Sequence, residues 1–132
     1  MEIDRLDHLV LTVQDIDRSC DFYTRVLGME RVTFGAGRTA LRFGRQKINL
    51  HLAGKEPTLR ARAATPGSAD LCFITSRPIE EVVRHVESCG AVVEVPPLPR
   101  DGATGPIMSV YLRDPDGNLV EVSNLIEPDA SA

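Results

Sequence analysis

Four ionisable residues could do chemistry together because they lie on predicted strands at corresponding places in two similar halves of the chain. They are His8, His51, Asp70 and Glu121. Two imidazoles with one or two carboxylates form a borderline ligand set, suited to a divalent Zn, Ni, Co, Mn or Fe(II) ion with water completing the shell. Other roles stay open, since His8 could be a strand-edge residue, Asp70 a turn cap and Glu121 a solvated carboxylate.

Glu121 follows the turn sequence Asp114-Pro115-Asp116-Gly117. Proline presets the second turn position, and Gly117 supplies the positive φ that the turn needs. The alternation from Leu119 to Ser123 then predicts a strand with its valines on one face and Glu121 on the other. An unpaired buried carboxylate is costly, so we expect Glu121 to face solvent or to meet a cation.

Two copies of a βαβββ pattern position these residues, which predicts an α+β fold. The first copy has predicted strands over 3–13, 30–34, 39–43 and 47–52, with a helix between Asp15 and Gly28. The second has strands over 70–75, 91–95, 107–113 and 119–123, a helix from Ile79 to Gly90, and a proline-rich loop over 96–106. We assign 4–52 and 68–125 to the two modules of a single domain (1–132), 53–67 to a linker and 126–132 to a flexible tail.

The spacing supports an internal repeat. His8 precedes the helix-ending Gly28 by 20 residues, and Asp70 precedes Gly90 by the same number. This alignment makes His8 equivalent to Asp70, and we match His51 to Glu121 on the last strand of each module. If the modules pack about a pseudo-twofold axis, their sheets would form a cup in which the four side chains converge.

Composition excludes several classes of function. The net charge is -4 and the basic residues are scattered, so nucleic acid is not an expected partner. No apolar run approaches the roughly 20 residues needed to cross a bilayer, and we predict a cytoplasmic protein without a membrane partner. The three widely spaced cysteines predict reduced core thiols.

Three further side chains are candidates for contacts with a substrate. Tyr111 could reach a ligand with its hydroxyl, although strand aromatics more often pack. Asn49 shares the polar face of its strand with His51. Arg42 could hold an anionic group or be a solvated charge.

Several stretches together resemble the vicinal oxygen chelate superfamily, which includes glyoxalase I, extradiol dioxygenases, fosfomycin resistance enzymes and bleomycin-binding proteins. They are Leu6-Asp7-His8-Leu9-Val10-Leu11-Thr12-Val13, the helix segment from Asp21 to Met29, and Asp114 to Val122. Phe43 to His51 and Gly105 to Tyr111 look closest to the glyoxalase domain-containing protein 5 subgroup.

The resemblance implies metal positions at His8, His51, Asp70 and Glu121. Bacterial glyoxalase I typically has His, Glu, His and Glu in this order, so the two middle members are exchanged here. Asp70 is the weaker ligand, because its short side chain would reach a metal through water. A small-molecule substrate and a homodimer are also implied, with sites that combine modules of one chain or of two.

The implied activity is that of a metal-dependent lyase or isomerase of glyoxalase type. Such an enzyme chelates two adjacent oxygens of its substrate and removes a neighbouring proton, with Glu121 as the base. One alternative is an Fe(II) extradiol dioxygenase that cleaves aromatic rings. Another is a non-enzymatic module that binds a ligand or an antibiotic.

Overall fold

The secondary structure follows the predicted order of two βαβββ modules, which confirms the fold class. A computed structural model describes residues 1–126, so all of the predicted tail except residue 126 lies outside the described residues. The first module consists of β1 (His8–Val13), α1 (Ile16–Arg25), β2 (Glu30–Phe34), β3 (Arg38–Phe43) and β4 (Gln46–Leu52). The second consists of β5 (Asp70–Ile74), α2 (Ile79–Ser88), β6 (Val95–Asp101), β7 (Pro106–Arg113) and β8 (Leu119–Leu125).

The chain divides into two compact units. The first unit comprises residues 1–69 and the turn 114–117, and the second comprises residues 70–113 and 118 onward. The first sheet has the strand order β1-β4-β3-β2, and the second has the corresponding order β5-β8-β7-β6. In each sheet the first listed pair is parallel and the other pairs are antiparallel.

The helices begin and end for local reasons. Asp15 caps α1, because its carboxylate accepts a 2.9 Å hydrogen bond from the Arg18 backbone N–H. Gly28 and Gly90 follow the two helices at φ 70° and 80°, a conformation that favours glycine. Both helices have ten residues, so no helix in the described part of the chain is long or apolar enough to cross a membrane.

Each sheet buries one face in the core of its own unit. Leu11, Val13, Ile48 and Leu50 alternate along β1 and β4 and are buried in the first unit. The second unit buries, among others, Val82, Val86, Val110, Leu112, Val120 and Val122. The remaining alternate positions form the polar face of each sheet, and this face carries the candidate residues.

Two predicted boundaries were wrong. β1 begins at His8 rather than at residue 3, because only residues 8–13 pair with β4. The proline-rich segment predicted as a loop forms β6, which pairs with β7, and residues 91–94 form no strand. β6 is an edge strand, where a missing proline N–H costs little, and a register shift between Val95 and Leu98 accommodates Pro96 and Pro97.

The Asp114 to Gly117 turn forms as predicted. The Gly117 backbone N–H donates to the Asp114 carbonyl at 3.0 Å, and Gly117 has φ 87°. Asp114 is 5% exposed and accepts a 2.7 Å hydrogen bond from the buried Tyr23 hydroxyl. Burial, followed by the charge of Asp114, raises the pKa of Tyr23 above its usual range. The first unit thus holds the turn that precedes β8 by a buried polar contact.

Candidate functional site

His8 and His51 share the polar face of the first sheet but stand at opposite ends of it. Parallel register pairs His8 with Lys47 and His51 with Thr12, so the two histidines are offset by four residues. At about 3.3 Å per residue, the offset is about 13 Å along the strands. His8 is exposed, and its Nδ1 lies 2.9 Å from the Asp7 carboxylate. The imidazole hydrogen bond lowers the pKa of Asp7.

Asp70 and Glu121 share the polar face of the second sheet. Glu121 pairs with Cys72, and Asp70 pairs with Leu119, so the two acids are offset by only two residues on neighbouring strands. Asp70 is exposed, whereas Glu121 is half-buried. Val120 and Val122 point into the core on either side of Glu121, as the alternation predicted.

The strand register contradicts the predicted equivalence of His51 and Glu121. Val10 of β1 pairs with Asn49, and Cys72, its counterpart in β5, pairs with Glu121. Asn49 is therefore the structural counterpart of Glu121, and His51 corresponds to Ser123. Sequence spacing missed this because 21 residues separate Gly28 from Asn49, whereas 31 separate Gly90 from Glu121.

Asn49 and His51 each bury a polar atom that lacks a partner. Within residues 1–126, no hydrogen bond reaches Asn49 Oδ1 or His51 Nε2, although both atoms are buried. Leaving such an atom unpaired costs about 1–3 kcal/mol. Desolvation by burial, followed by the positive charge of Arg38, lowers the pKa of His51. These effects favour the neutral imidazole over the protonated one, and the neutral form can accept a proton or bind a metal.

A cavity of about 240 Å³ lies in the first unit beside these two residues. Its polar lining consists of Arg38, Thr39, Asn49, His51 and Lys55. The sequence had not singled out Arg38 or Lys55, because one belongs to the start of β3 and the other to the predicted linker. Two cations that line one cavity with no acid in its lining depend on the folded arrangement, which neither sequence position reveals alone.

The remaining candidates have partners of their own. Arg42 forms a 2.8 Å ion pair with Glu30, and both side chains are exposed. Tyr111 pairs with Glu121 across β7 and β8, and its hydroxyl accepts a 3.1 Å hydrogen bond from Arg100 Nε.

Within residues 1–126 the three cysteines form no disulfide bond, as predicted, but only Cys20 belongs to the core. Cys72 is exposed because it lies on the polar face of β5, and Cys89 is half-buried at the end of α2. Cys72 Sγ lies 3.4 Å from the Ser123 hydroxyl, and partial desolvation by the neighbouring groups raises the pKa of this thiol. The prediction of three core thiols was therefore wrong for two of them.

In the part of the chain that the structure describes, no three His, Cys, Asp or Glu side chains form a group that could hold a metal ion. His8 and His51 belong to the first unit, and Asp70 and Glu121 to the second. Each unit on its own therefore supplies two of the four predicted ligands.

Comparison with known proteins identifies relatives over nearly the whole chain. Residues 5–122 match the model of the Glyoxalase/Bleomycin resistance protein/Dioxygenase superfamily. The virulence protein STM3117 of Salmonella typhimurium is 56% identical over 96% of this chain and 88% of its own length. Its crystal structure, matched over 96% of this chain and all of that chain, has a TM-score of 0.94.

Two further proteins extend the comparison. The glyoxalase domain-containing protein RDO1 of Mycosarcoma maydis is 51% identical over 94% of this chain and 70% of its own length. The crystal structure of a lactoylglutathione lyase from Agrobacterium tumefaciens is 26% identical, with a TM-score of 0.71 over 94% of this chain and 96% of that one. The closer likeness to the glyoxalase domain-containing protein 5 subgroup stays a prediction.

Proposed function

Because this chain belongs to the Glyoxalase/Bleomycin resistance protein/Dioxygenase superfamily, we propose that it is a divalent-metal-dependent lyase or isomerase of glyoxalase type. Its substrate would be a small molecule with two adjacent oxygens. The likeness to a lactoylglutathione lyase supports this reaction class. We also propose that the active protein is a homodimer, as the resemblance to the vicinal oxygen chelate superfamily implies.

One observation carries the proposal. The register gives His8 and Asp70 equivalent places at the starts of β1 and β5, and gives Asn49 and Glu121 equivalent places on β4 and β8. All four lie on the polar faces of their sheets. The two modules thus repeat one arrangement of donors, with an imidazole and an amide in the first and two carboxylates in the second.

This donor set fits a borderline divalent metal. Imidazole nitrogen and carboxylate or amide oxygen are ligands for Zn, Ni, Co, Mn and Fe(II). The unpartnered Oδ1 of Asn49 is a buried acceptor that a cation would satisfy. We propose that His8, Asp70 and Glu121 hold the metal together with a donor from β4. That donor is Asn49 by register, and His51 stays a candidate two residues further along the strand.

When bound, a divalent metal would polarise the substrate oxygens and acidify the adjacent C–H group. Glu121 is the proposed base, because its carboxylate stands on a paired strand, half-buried, with Val120 and Val122 anchoring its backbone from the core. Its carboxylate would take the proton from carbon and return it to the neighbouring carbon. Tyr111, its cross-strand neighbour, would hold a substrate oxygen with its hydroxyl.

Metal analysis and turnover by the same preparation test the proposal. The chain would be purified without chelators or an affinity tag, analysed for bound metal, and then assayed with methylglyoxal and a thiol. We expect about one divalent ion per site and activity that EDTA removes and a divalent ion restores. Glu121→Gln should lower the turnover rate by about 100-fold or more, as expected for loss of a positioned base.

Glu87→Gln is the matched control, because Glu87 is an exposed acid on α2. It should leave turnover and metal content unchanged. A fully loaded protein that leaves methylglyoxal and thiol unreacted would reject this substrate. Oxygen uptake with catechols after anaerobic loading with Fe(II) would instead establish the ring-cleaving dioxygenase.

The cavity in the first unit favours a second candidate, a binding module without catalysis. A pocket with unpartnered polar atoms can hold a ligand without any metal. This function predicts that ligand binding tolerates His8→Ala and Glu121→Ala, and that no metal copurifies. The two candidates therefore differ in the same two measurements, metal content and the effect of Glu121.

A further inference from the structure

We infer that the cavity in the first unit binds a small hydroxy carboxylate, an organic anion with an adjacent hydroxyl and an apolar body. The inference deepens the proposed function by naming the class of substrate or product, and it rests on that function only for the claim that the ligand reacts. Binding itself follows from charge, unpaired polar atoms and apolar walls of this one unit.

The charge of the cavity is positive. Arg38 and Lys55 line it, and no lining residue is acidic. Within residues 1–126, neither cation has a carboxylate partner. Glu56 acts electrostatically on His51, but its carboxylate accepts a hydrogen bond from the Gly54 backbone and does not line the cavity. A carboxylate ligand would supply the missing countercharge.

Arg38 lies over an aromatic ring. Its guanidinium carbon lies 4.6 Å from the centre of the Phe34 ring, within the range of a cation–π contact. Within residues 1–126 its side-chain N–H groups donate no hydrogen bond, so they are available to a ligand. A planar fork of N–H donors matches the two oxygens of a carboxylate, which a flexible ammonium does not.

A carboxylate alone does not satisfy the unpaired buried atoms that line the cavity. His51 Nε2 and Asn49 Oδ1 both belong to residues that line the cavity. Asn49 Oδ1 is an acceptor and needs a donor, which a carboxylate at neutral pH does not offer. In the metal-free protein, a hydroxyl next to the carboxylate would donate to it, so the ligand is a hydroxy acid rather than a simple anion.

The other walls indicate that the rest of the ligand is apolar. Ile16, Phe34, Leu52 and Pro57 line the cavity with apolar groups. Burial of a branched aliphatic group against them would stabilise the complex by the usual hydrophobic contribution. A volume of about 240 Å³ has room for a hydroxy acid with such a branched group.

Calorimetric titration with three matched compounds tests the inference. The probe is 2-hydroxy-4-methylpentanoate, the second compound is 4-methylpentanoate, which lacks the hydroxyl, and the third is the amide of the probe, which lacks the charge. The full chain is titrated in EDTA, so that no metal contributes. We expect the probe to bind and each of the other two compounds to bind at least about tenfold more weakly.

Arg38→Gln should weaken binding of the probe by at least about tenfold while leaving the weak binding of the amide unchanged. Arg38 is exposed, so the variant should fold normally. The matched control is Arg45→Gln, an exposed arginine in the turn after β3 that does not line the cavity. It should bind all three compounds as the wild type does.

Absence of heat with the probe, equal affinity for the three compounds, or an Arg38→Gln variant that binds like wild type would each overturn the inference. Failure of the proposed function looks different. In that case Glu121→Gln and wild type would both bind the probe without any turnover of methylglyoxal. Binding in EDTA thus tests the cavity, and turnover with metal tests the reaction.

Discussion

Replacing Tyr23 by Phe removes one oxygen atom from the core and should destabilise the chain measurably. The Tyr23 hydroxyl donates a 2.7 Å hydrogen bond to Asp114 Oδ2, and the tyrosine is fully buried. Asp114 is itself buried and uses its other oxygen to accept from the Asp116 backbone N–H at 2.9 Å. The substitution keeps the aromatic ring, so the packing of α1 is preserved.

The magnitude follows from the charge and burial of the acceptor. A hydrogen bond to a charged group contributes about 1.5–3 kcal/mol, and loss of a donor to a buried acceptor leaves no water to replace it. We therefore expect Tyr23→Phe to lower the free energy of unfolding by about 2 kcal/mol. For a chain of this length, that corresponds to a decrease in Tm of about 6–8 °C.

Urea unfolding followed by circular dichroism measures this change, with the slope m expected to stay constant. Tyr111→Phe is a matched control, because Tyr111 is half-buried and its partner Arg100 is exposed. Its loss should cost below about 1 kcal/mol. A double-mutant cycle with Asp114→Asn assigns the energy to the pair.

The reasoning is refuted if Tyr23→Phe unfolds within about 0.5 kcal/mol of wild type, or if it is no less stable than Tyr111→Phe. Either result would mean that the 2.7 Å contact contributes less to folding than its burial and the charge of Asp114 predict. A normal stability with a changed m would instead point to the unfolded state.

Three further predictions concern other sites. Burial lowers the pKa of His51 from its ordinary value of 6.5. The contribution of the neutral imidazole to folding stability is therefore complete above the pKa of the unfolded chain and is lost as the pH falls through the pKa of the folded chain. Urea unfolding at about pH 7.5 and about pH 5.5 should show a larger loss of stability for wild type than for His51→Gln. If two chains share each site, mixing inactive His8→Ala and Glu121→Ala proteins should restore about a quarter of wild-type activity, whereas sites within single chains would stay inactive. Gly67→Ala should lower the Tm more than Gly117→Ala does. Both glycines have positive φ, but only the Cβ added at position 67 meets a backbone oxygen, that of Asp116, at 2.5 Å. Equal decreases in Tm would contradict this.

The fold was predictable because its signals are local. Asp15, Gly28 and Gly90 mark helix ends by capping chemistry, and the structure has each of them in that role or place. The alternation around Glu121 correctly predicted the face of the sheet that carries this residue, because successive side chains of a strand point to opposite faces. The predictions of a linker, of a metal site and of no membrane partner do not follow from local strand and helix patterns in this way.

Register was the part that local pattern could not supply. Alternation tells which face a residue occupies, but a shift of two residues keeps the face and changes the neighbour. His51 and Asn49 therefore look alike in sequence, and only pairing with Val10 distinguishes them. The edge strand β6 was not predicted for a related reason. Its prolines are incompatible with a central strand but are tolerated in an edge strand, and sequence pattern alone does not tell which of the two a segment forms.

The corrected register changes the chemistry expected of the two modules. Equivalent places hold a neutral amide at Asn49 and an ionised acid at Glu121, so the repeat is symmetric in backbone and asymmetric in charge. A carboxylate at position 49 would compete with an anionic ligand for the charge of Arg38 and Lys55, which line the same cavity. With Asn49 in place of an acid, the first unit keeps its cavity positive, while the second unit retains the carboxylate that a proton transfer needs. Asn49→Asp should therefore weaken binding of the hydroxy acid probe by at least about tenfold in the calorimetric titration in EDTA. The substitution hardly changes the volume of the side chain, so the fold should be preserved.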